Sequence, residues 1–306
     1  MRAAWLLVTL PCLAQTVTQR GFVDLRFTGY PQDAPGDSGN AIGDGWLRYE
    51  ASLKASTAIR FFGTLDARTD THRQVEREWR PDFSDSRLLR PAFSLRRATV
   101  QFHKGALTVE AGKQFIRWGK ADVLNPTDRF APRDFLTVVD SDFLGVLALR
   151  ATVERGSNTL DLVLQPRFTP SRIPLVNQRW APLPEQLQGV PIQELPARFP
   201  GGSQFGVRFN HTGAVDYGLC FFDGFNHLPL FDAALSAAPF GIQLQRYFAR
   251  MRMVGGDVAW PLRWFSVKAE SAYFGSSTVT ADEYVQYVVQ LERQSGEWSF
   301  VGGYAG

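Results

Sequence analysis

The sequence predicts an all-β chain, a transmembrane antiparallel up-and-down β-barrel of about 14 or more strands. Three observations predict it. Polar and apolar residues alternate with a period of two along segments of about ten residues. Very short turns and long polar loops take turns in joining these segments. No stretch reaches the roughly 18 consecutive apolar residues of a membrane-crossing helix.

The segment Leu47–Lys54 shows the alternation: Leu47, Tyr49, Ala51 and Leu53 make an apolar face, and Arg48, Glu50, Ser52 and Lys54 point the other way. The same period recurs over 59–66, 267–273 and 285–292. Successive strand side chains face opposite sides, so one side suits lipid and the other suits water. Leu47, Tyr49, Leu53, Phe61, Leu65, Leu160, Leu162, Leu164, Val267, Tyr287 and Leu291 share the parity expected to face lipid.

A soluble sandwich alternates too, so the connections decide. Tight links fall at 54–57, 103–106, 155–158, 211–214, 261–264 and 293–297. Long links fall between them at 30–44, 69–92, 117–142, 167–203, 226–246 and 275–282. Short turns at one rim and long loops at the other describe a bacterial outer-membrane barrel, whereas a Greek-key sandwich scatters long connections between both ends. Tyr30, Trp46, Phe102, Trp118, Phe143, Trp260, Trp264, Phe265 and Trp298 are candidates for aromatic girdles near the strand ends.

Residues 1–14 read as a secretory signal: Arg2 supplies a positive charge, 3–10 are mostly apolar, and Ala14 ends a small-residue exit. Residues 15–306 form the barrel. Cys220 is then the one cysteine left, which excludes an internal disulfide. After the signal about thirteen strands can be counted, and single-chain barrels close with an even number. The chain also stops at Gly306 without a terminal aromatic residue, so the last strand or strands are expected to be missing.

Charge placed by parity defines the expected pore lining: Arg20, Arg26, Arg48, Glu50, Arg60, Asp66, Arg97, Glu110, Arg150, Arg208, Arg250, Arg252, Lys268 and Glu270. Arg or Lys on the lipid face costs roughly 2–4 kcal/mol at mid-depth, which gives this assignment its reason. Both signs are interleaved. The residues therefore fit a cross-strand lattice that braces the wall, and they also fit a charged constriction. The net charge of +3 and pI near 8.9 lean towards anionic or polyhydroxylated solutes.

The most distinctive segment is the third long link, Arg117-Trp118-Gly119-Lys120-Ala121-Asp122, continuing to Asn125-Pro126-Thr127-Asp128 and Arg133-Asp134. Gly119 permits a sharp departure from the strand, Pro126 holds Asn125 extended, and Asp128 is placed to cap a short helical turn. Arg117, Trp118, Gly119, Lys120, Asp122, Asn125, Asp128, Arg133 and Asp134 are the candidate constriction residues. Here the chain resembles a family of porin-like Gram-negative outer-membrane proteins with a similar Trp-Gly-Lys-Ala-Asp and Asn-Pro-x-Asp. The resemblance is specific between Gly112 and Asp134 and implies an outer-membrane channel with this loop folded inward as an eyelet.

The fourth link is rich in proline and reads as a stiff cover, with no strand pair of its own. No enzyme pattern emerges. His72, His103, His211 and His227 are the four histidines, and no Gly-x-Ser-x-Gly, His-Glu-x-x-His or paired-cysteine site occurs. A hydrolase built on His211 or His227 with a nearby serine is the weaker enzymatic reading. No cofactor or metal is expected, and basic residues spread over alternating strands form no nucleic-acid stripe. The expected protein is a monomer or homo-trimer in outer-membrane lipid that passes small polar or anionic solutes. The rival is a secreted soluble β-domain binding carbohydrate or acting as an adhesin.

Overall fold

A computed structural model describes residues 16–34, 37, 39–121, 124–137, 141–181, 187, 189–237 and 239–306. The expected signal over 1–14 and Asp122 lie outside the described residues. The first strands are β1 (Thr16–Gly29), β2 (Ala41–Lys54), β3 (Ile59–Asp70), the short β4 (Pro81–Asp82), β5 (Phe93–Lys104) and β6 (Leu107–Gln114). Then come the short β7 (Arg133–Asp134) and β8 (Asp142–Phe143), followed by β9 (Val146–Arg155), β10 (Asn158–Gln165), β11 (Ile192–Arg198), β12 (Gln204–His211) and β13 (Asp216–Phe225). The chain continues with β14 (Leu230–Ala237), β15 (Phe240–Tyr247), β16 (Arg250–Pro261), β17 (Ser266–Gly275), β18 (Tyr284–Ser295) and β19 (Trp298–Ala305).

Thirteen of these make one antiparallel up-and-down wall in the order β1-β2-β3-β5-β6-β9-β10-β12-β13-β16-β17-β18-β19. Among the described residues no pairing joins β1 to β19. All six tight links and all six long links fall between the strands that the alternation marks out. The wall strands run from 8 to 14 residues, against the roughly 9–11 that cross a bilayer at a tilt.

Burial across this wall is inverted relative to a soluble fold. On β10, Leu160, Leu162 and Leu164 are 40%, 42% and 46% exposed, while Asp161 and Gln165 between and beyond them are 2% exposed. Leu47, Tyr49, Phe61, Leu219, Val254, Val285, Val289 and Leu291 are likewise exposed, whereas Asp66, Arg208, Asp257, Glu270 and Gln290 are buried. Water would penalise such an outside, and hydrocarbon favours it. This is the wall of a transmembrane β-barrel. The face carrying the buried polar residues is called the inner face below.

Two regions depart from the sequence expectation. The proline-rich fourth link supplies a strand, β11, which pairs in parallel with β15; β15 pairs with β14, so the fifth link is a hairpin and the two loops share a three-stranded sheet. β11 is an edge strand, and its register shifts between Leu195 and Arg198, which accommodates Pro196. The aromatic candidates also divide. Phe102, Trp260, Trp264, Phe265 and Trp298 are exposed near the tight turns, as a girdle requires, but Trp118 is buried. Trp46 lies under Arg48 and Arg68, Phe143 under Arg117 and Arg133, and Tyr30 under Arg179, so their rings serve guanidinium groups and not the rim.

Candidate functional site

The inner face between β9 and β17 carries a buried apolar cluster: Val146, Ala148, Val163, Cys220, Phe222, Met251, Met253, Ala272 and Phe274, joined by Ile116, Trp118 and Phe130 from the third loop. Trp118 meets Phe130 edge to face at 5.1 Å, and Phe130 meets Phe222 at 5.0 Å. Such pairs add about 0.5–1.5 kcal/mol each beyond their buried area. Gly206 of β12 makes the seat, because a Cβ there would come within 2.5 Å of the Trp118 ring and 2.7 Å of Phe130. The loop therefore lies on the inner face of the wall.

Three wall carboxylates hold its backbone and polar atoms. Glu270 Oε1 accepts from the Thr127 N–H and hydroxyl, both at 2.8 Å, and Oε2 accepts from the Lys120 N–H at 3.0 Å, so one side chain fixes two points of the loop. Asp161 accepts the Trp118 indole N–H at 3.0 Å, and Asp257 takes Lys120 Nζ at 3.2 Å. Within the loop, Asp128 Oδ1 accepts from the N–H groups of Trp118 and Gly119. Asp128 thus ties the loop's start to its middle and caps no helix. Gly119 has to be small, since its Cβ would approach the Asn125 side chain to 2.5 Å.

On the opposite side the loop meets charge. Asp142 of β8 and Asp66 of β3 face Arg48, Arg68 and Arg96. Arg48 grips Asp66 with two bonds of 2.8 and 2.9 Å and reaches Asp142 at 3.4 Å. Among the described residues, three guanidinium groups thus face these two carboxylates. Arg96 and its neighbour Arg97 serve this face together because the β3–β5 register shifts between Thr64 and Leu65; a bulge re-aims adjacent residues in this way.

The free edge of the loop is also basic. Arg117 and Arg133 stand over the Phe143 ring at 4.3 and 4.2 Å, and Asp128 is the carboxylate near Arg117, at 3.5 Å, whereas Arg129 lies on the anchored side, 5.1 Å from Phe274. Burial, and next the neighbouring Arg117, hold the Arg133 guanidinium below its usual range. The arrangement gathers two guanidinium groups on one aromatic face, with the Arg117 side chain 47% exposed.

The remaining parity-assigned residues fall into pairs. Arg20 binds Glu50, Arg97 binds Glu110 at 3.1 Å, Arg150 binds Asp161 at 2.8 Å, Arg208 binds Asp257, and Lys268 binds Glu292 at 2.6 Å. Arg26 lines a small cavity with Asp24, and Arg60 is exposed 5.7 Å from the Phe62 ring centroid. Arg250 and Arg252 are different. They alternate with the buried Met251 and Met253 and so stand on the outer face, both bound to Asp223 near the loop-side end of β16. Their position at the strand end, with a carboxylate of matching parity opposite, removes the cost that put them inward by reasoning from charge alone.

Above the wall the loops interlock through buried ions. Arg90 of the second loop grips Asp134 of the third at 2.8 and 2.9 Å, and Arg172 of the fourth loop reaches Asp134 at 3.4 Å and Asp85 at 2.8 Å. Burial alone would raise the Asp134 carboxyl, but Arg90 and Arg172 hold it down at about 2. Ser171 Oγ and His227 Nδ1 lie 2.8 Å apart, the pairing a hydrolase would use. Ser171 is 1% exposed, however, and its hydroxyl accepts the Arg133 N–H at 2.8 Å, while burial pushes His227 down to about 3. This pair clips the loops together and offers no accessible nucleophile. Of these partners, Asp85, Arg90, Asp142 and Arg172 carry no local signal in the chain; only the folded loops bring them together.

No family model and no curated protein sequence matches this chain. Among solved structures it is similar to OmpF of Salmonella typhi, in a complex with daunomycin, at 11% identity and a TM-score of 0.42, covering 94% of this chain and 77% of that one. It is similar to OccAB4 of Acinetobacter baumannii at 10% identity and a TM-score of 0.44, covering 95% and 66%. OprB of Pseudomonas putida follows at 13% and 0.42, covering 93% and 71%. The chain thus spans about two thirds to three quarters of these proteins' lengths. Likeness at this level carries no argument, and the fold rests on the strand order and the inverted burial.

Proposed function

We propose that this protein is a porin-like channel of the bacterial outer membrane, through which small polar solutes, anions preferred, diffuse past the third loop. The carrying observation is that loop's position: Glu270, Asp161 and Asp257 fasten one side to the inner wall, and Arg117 and Arg133 are left at the free edge. A ring of fixed charge in a narrow aqueous path selects by sign. Lipid surrounds the outer face, and the unit works as a monomer or a homo-trimer. The soluble carbohydrate-binding alternative would leave the row of Leu160, Leu162 and Leu164 in water at about 25 cal/mol per Å2 of apolar surface.

The test is single-channel recording of the wild type and of a chain lacking residues 122–133. Conductance should rise in a deletion variant that keeps its strand content by circular dichroism. Equal conductance in the folded variant would place the loop outside the path.

A further inference from the structure

We propose that Asp44, Asp70 and His72 form a binding site for a divalent transition-metal ion, with Zn2+ the best match, at the loop-side end of β2 and β3. Asp44 and Asp70 are direct cross-strand partners, and like charges so placed repel each other. His72 follows two residues after β3 ends. One oxygen of each carboxylate and one ring nitrogen lie within 4.8 Å of one another.

The polar inventory of the cluster fits a cation. Asp70 is fully buried at its side chain and His72 is 7% exposed. Asp70 Oδ2 accepts the N–H of Gln74 at 2.6 Å and of Val75 at 3.3 Å, but among the described residues Oδ1 has no hydrogen-bond donor, and both buried ring nitrogens of His72 have no hydrogen-bond partner. Buried polar atoms are nearly always paired, so this many orphans in one cluster call for a ligand. A protonated imidazole does not supply it, because Nδ1 stands 3.6 Å from Asp70 Oδ2, beyond hydrogen-bond reach. Arg77 donates to the Asp70 backbone carbonyl at 2.6 Å and approaches Oδ1 to 3.2 Å from the solvent side, its side chain 57% exposed, which leaves the His72 side of the cluster without a cation of its own among the described residues.

An imidazole with two carboxylates suits Zn2+ and its neighbours, whereas Ca2+ and Mg2+ take oxygen alone. Three protein ligands leave a fourth position, and a cavity of about 60 Å3 lined by Asp44, Arg26 and Arg90 adjoins the site with room for water. The ion would tie the second loop to the wall.

The experiment is titration of Zn2+ into the full-length protein in detergent by calorimetry, with Co2+ absorption as a second readout. One ion should bind per chain, Mg2+ should not compete, and His72→Gln and Asp44→Asn should each weaken binding by about tenfold or more. His103→Gln and His211→Gln, remote from the cluster, should bind as the wild type does. Binding weaker than about 1 mM, or binding unchanged by His72→Gln in protein of native circular dichroism, would overturn the proposal. The reading does not depend on the channel proposal.

Discussion

Towards β10–β17 the third loop lies on aromatic and methionine side chains and gives its N–H groups to a buried carboxylate. Towards β2, β3 and β5 the same loop meets Arg48, Arg68 and Arg96 through Asp142, which is 31% exposed. The first contact draws on burial and on hydrogen bonds sheltered from water. The second is electrostatic and partly wetted, so salt screens it over about 8 Å at physiological strength. The loop is therefore anchored on one side and tunable on the other. Releasing the anchor should alter structure, and altering the charged side should alter selectivity.

The largest effect is expected from Phe130→Ala. It removes a ring that is 1% exposed between Trp118 and Phe222, and truncations of this kind cost about 3–5 kcal/mol. Hydrogen exchange should become fast over 117–134 with the wall strands still protected. Protection of the loop equal to wild type would mean that the apolar seat is incidental.

Glu270→Gln should act next. The substitution keeps size but withdraws the anion that accepts from Thr127 and Lys120, and hydrogen bonds to charged groups are worth about 1.5–3 kcal/mol. Exchange should quicken at these two amides first, while the Trp118 amide, held by Asp128, should lag. A uniform change over the loop would argue against Glu270 as a local anchor.

Acid should have the smallest effect, and on the cover alone. His227 is neutral in the closed loops, its pKa pushed down to about 3, and returns to about 6.5 once released. The opened state therefore binds more protons between these values. Stability of the closed cover, full above pH ~6.5, falls as the pH drops. Asp134 behaves differently, because it stays ionised down to about 2 and the lock to Arg90 and Arg172 survives mild acid. Proteolysis of the fourth loop should quicken from pH 7 to pH 5 in the wild type and lose that dependence in His227→Gln. A pH-dependence retained by the variant would assign it to another group.

Much of the wall was legible in the chain, because period two and loop length are local properties. Leu160, Asp161 and Leu162 state their faces outright. The same rule misplaced Arg250 and Arg252, since it priced charge as though every position lay at mid-membrane, and Asp223 opposite them is visible only through register. Arg96 was hidden by a bulge that breaks parity. The third loop announced itself by Trp118, Gly119 and Asp128, but its anchor did not, for Glu270 is 143 residues from Thr127. The sheet shared by β11, β14 and β15 was unreadable because proline composition argues against strands and a parallel edge partner was needed to outweigh it.

The most direct measurement is the zero-current potential across a KCl gradient at low salt, for the wild type and for Arg117→Gln with Arg133→Gln. The two guanidinium groups over Phe143 should make the wild type anion-selective, and their removal should move the potential towards cation selectivity, most at low salt where screening is weak. An unchanged potential in an open, folded double variant would contradict the loop edge as the selective element.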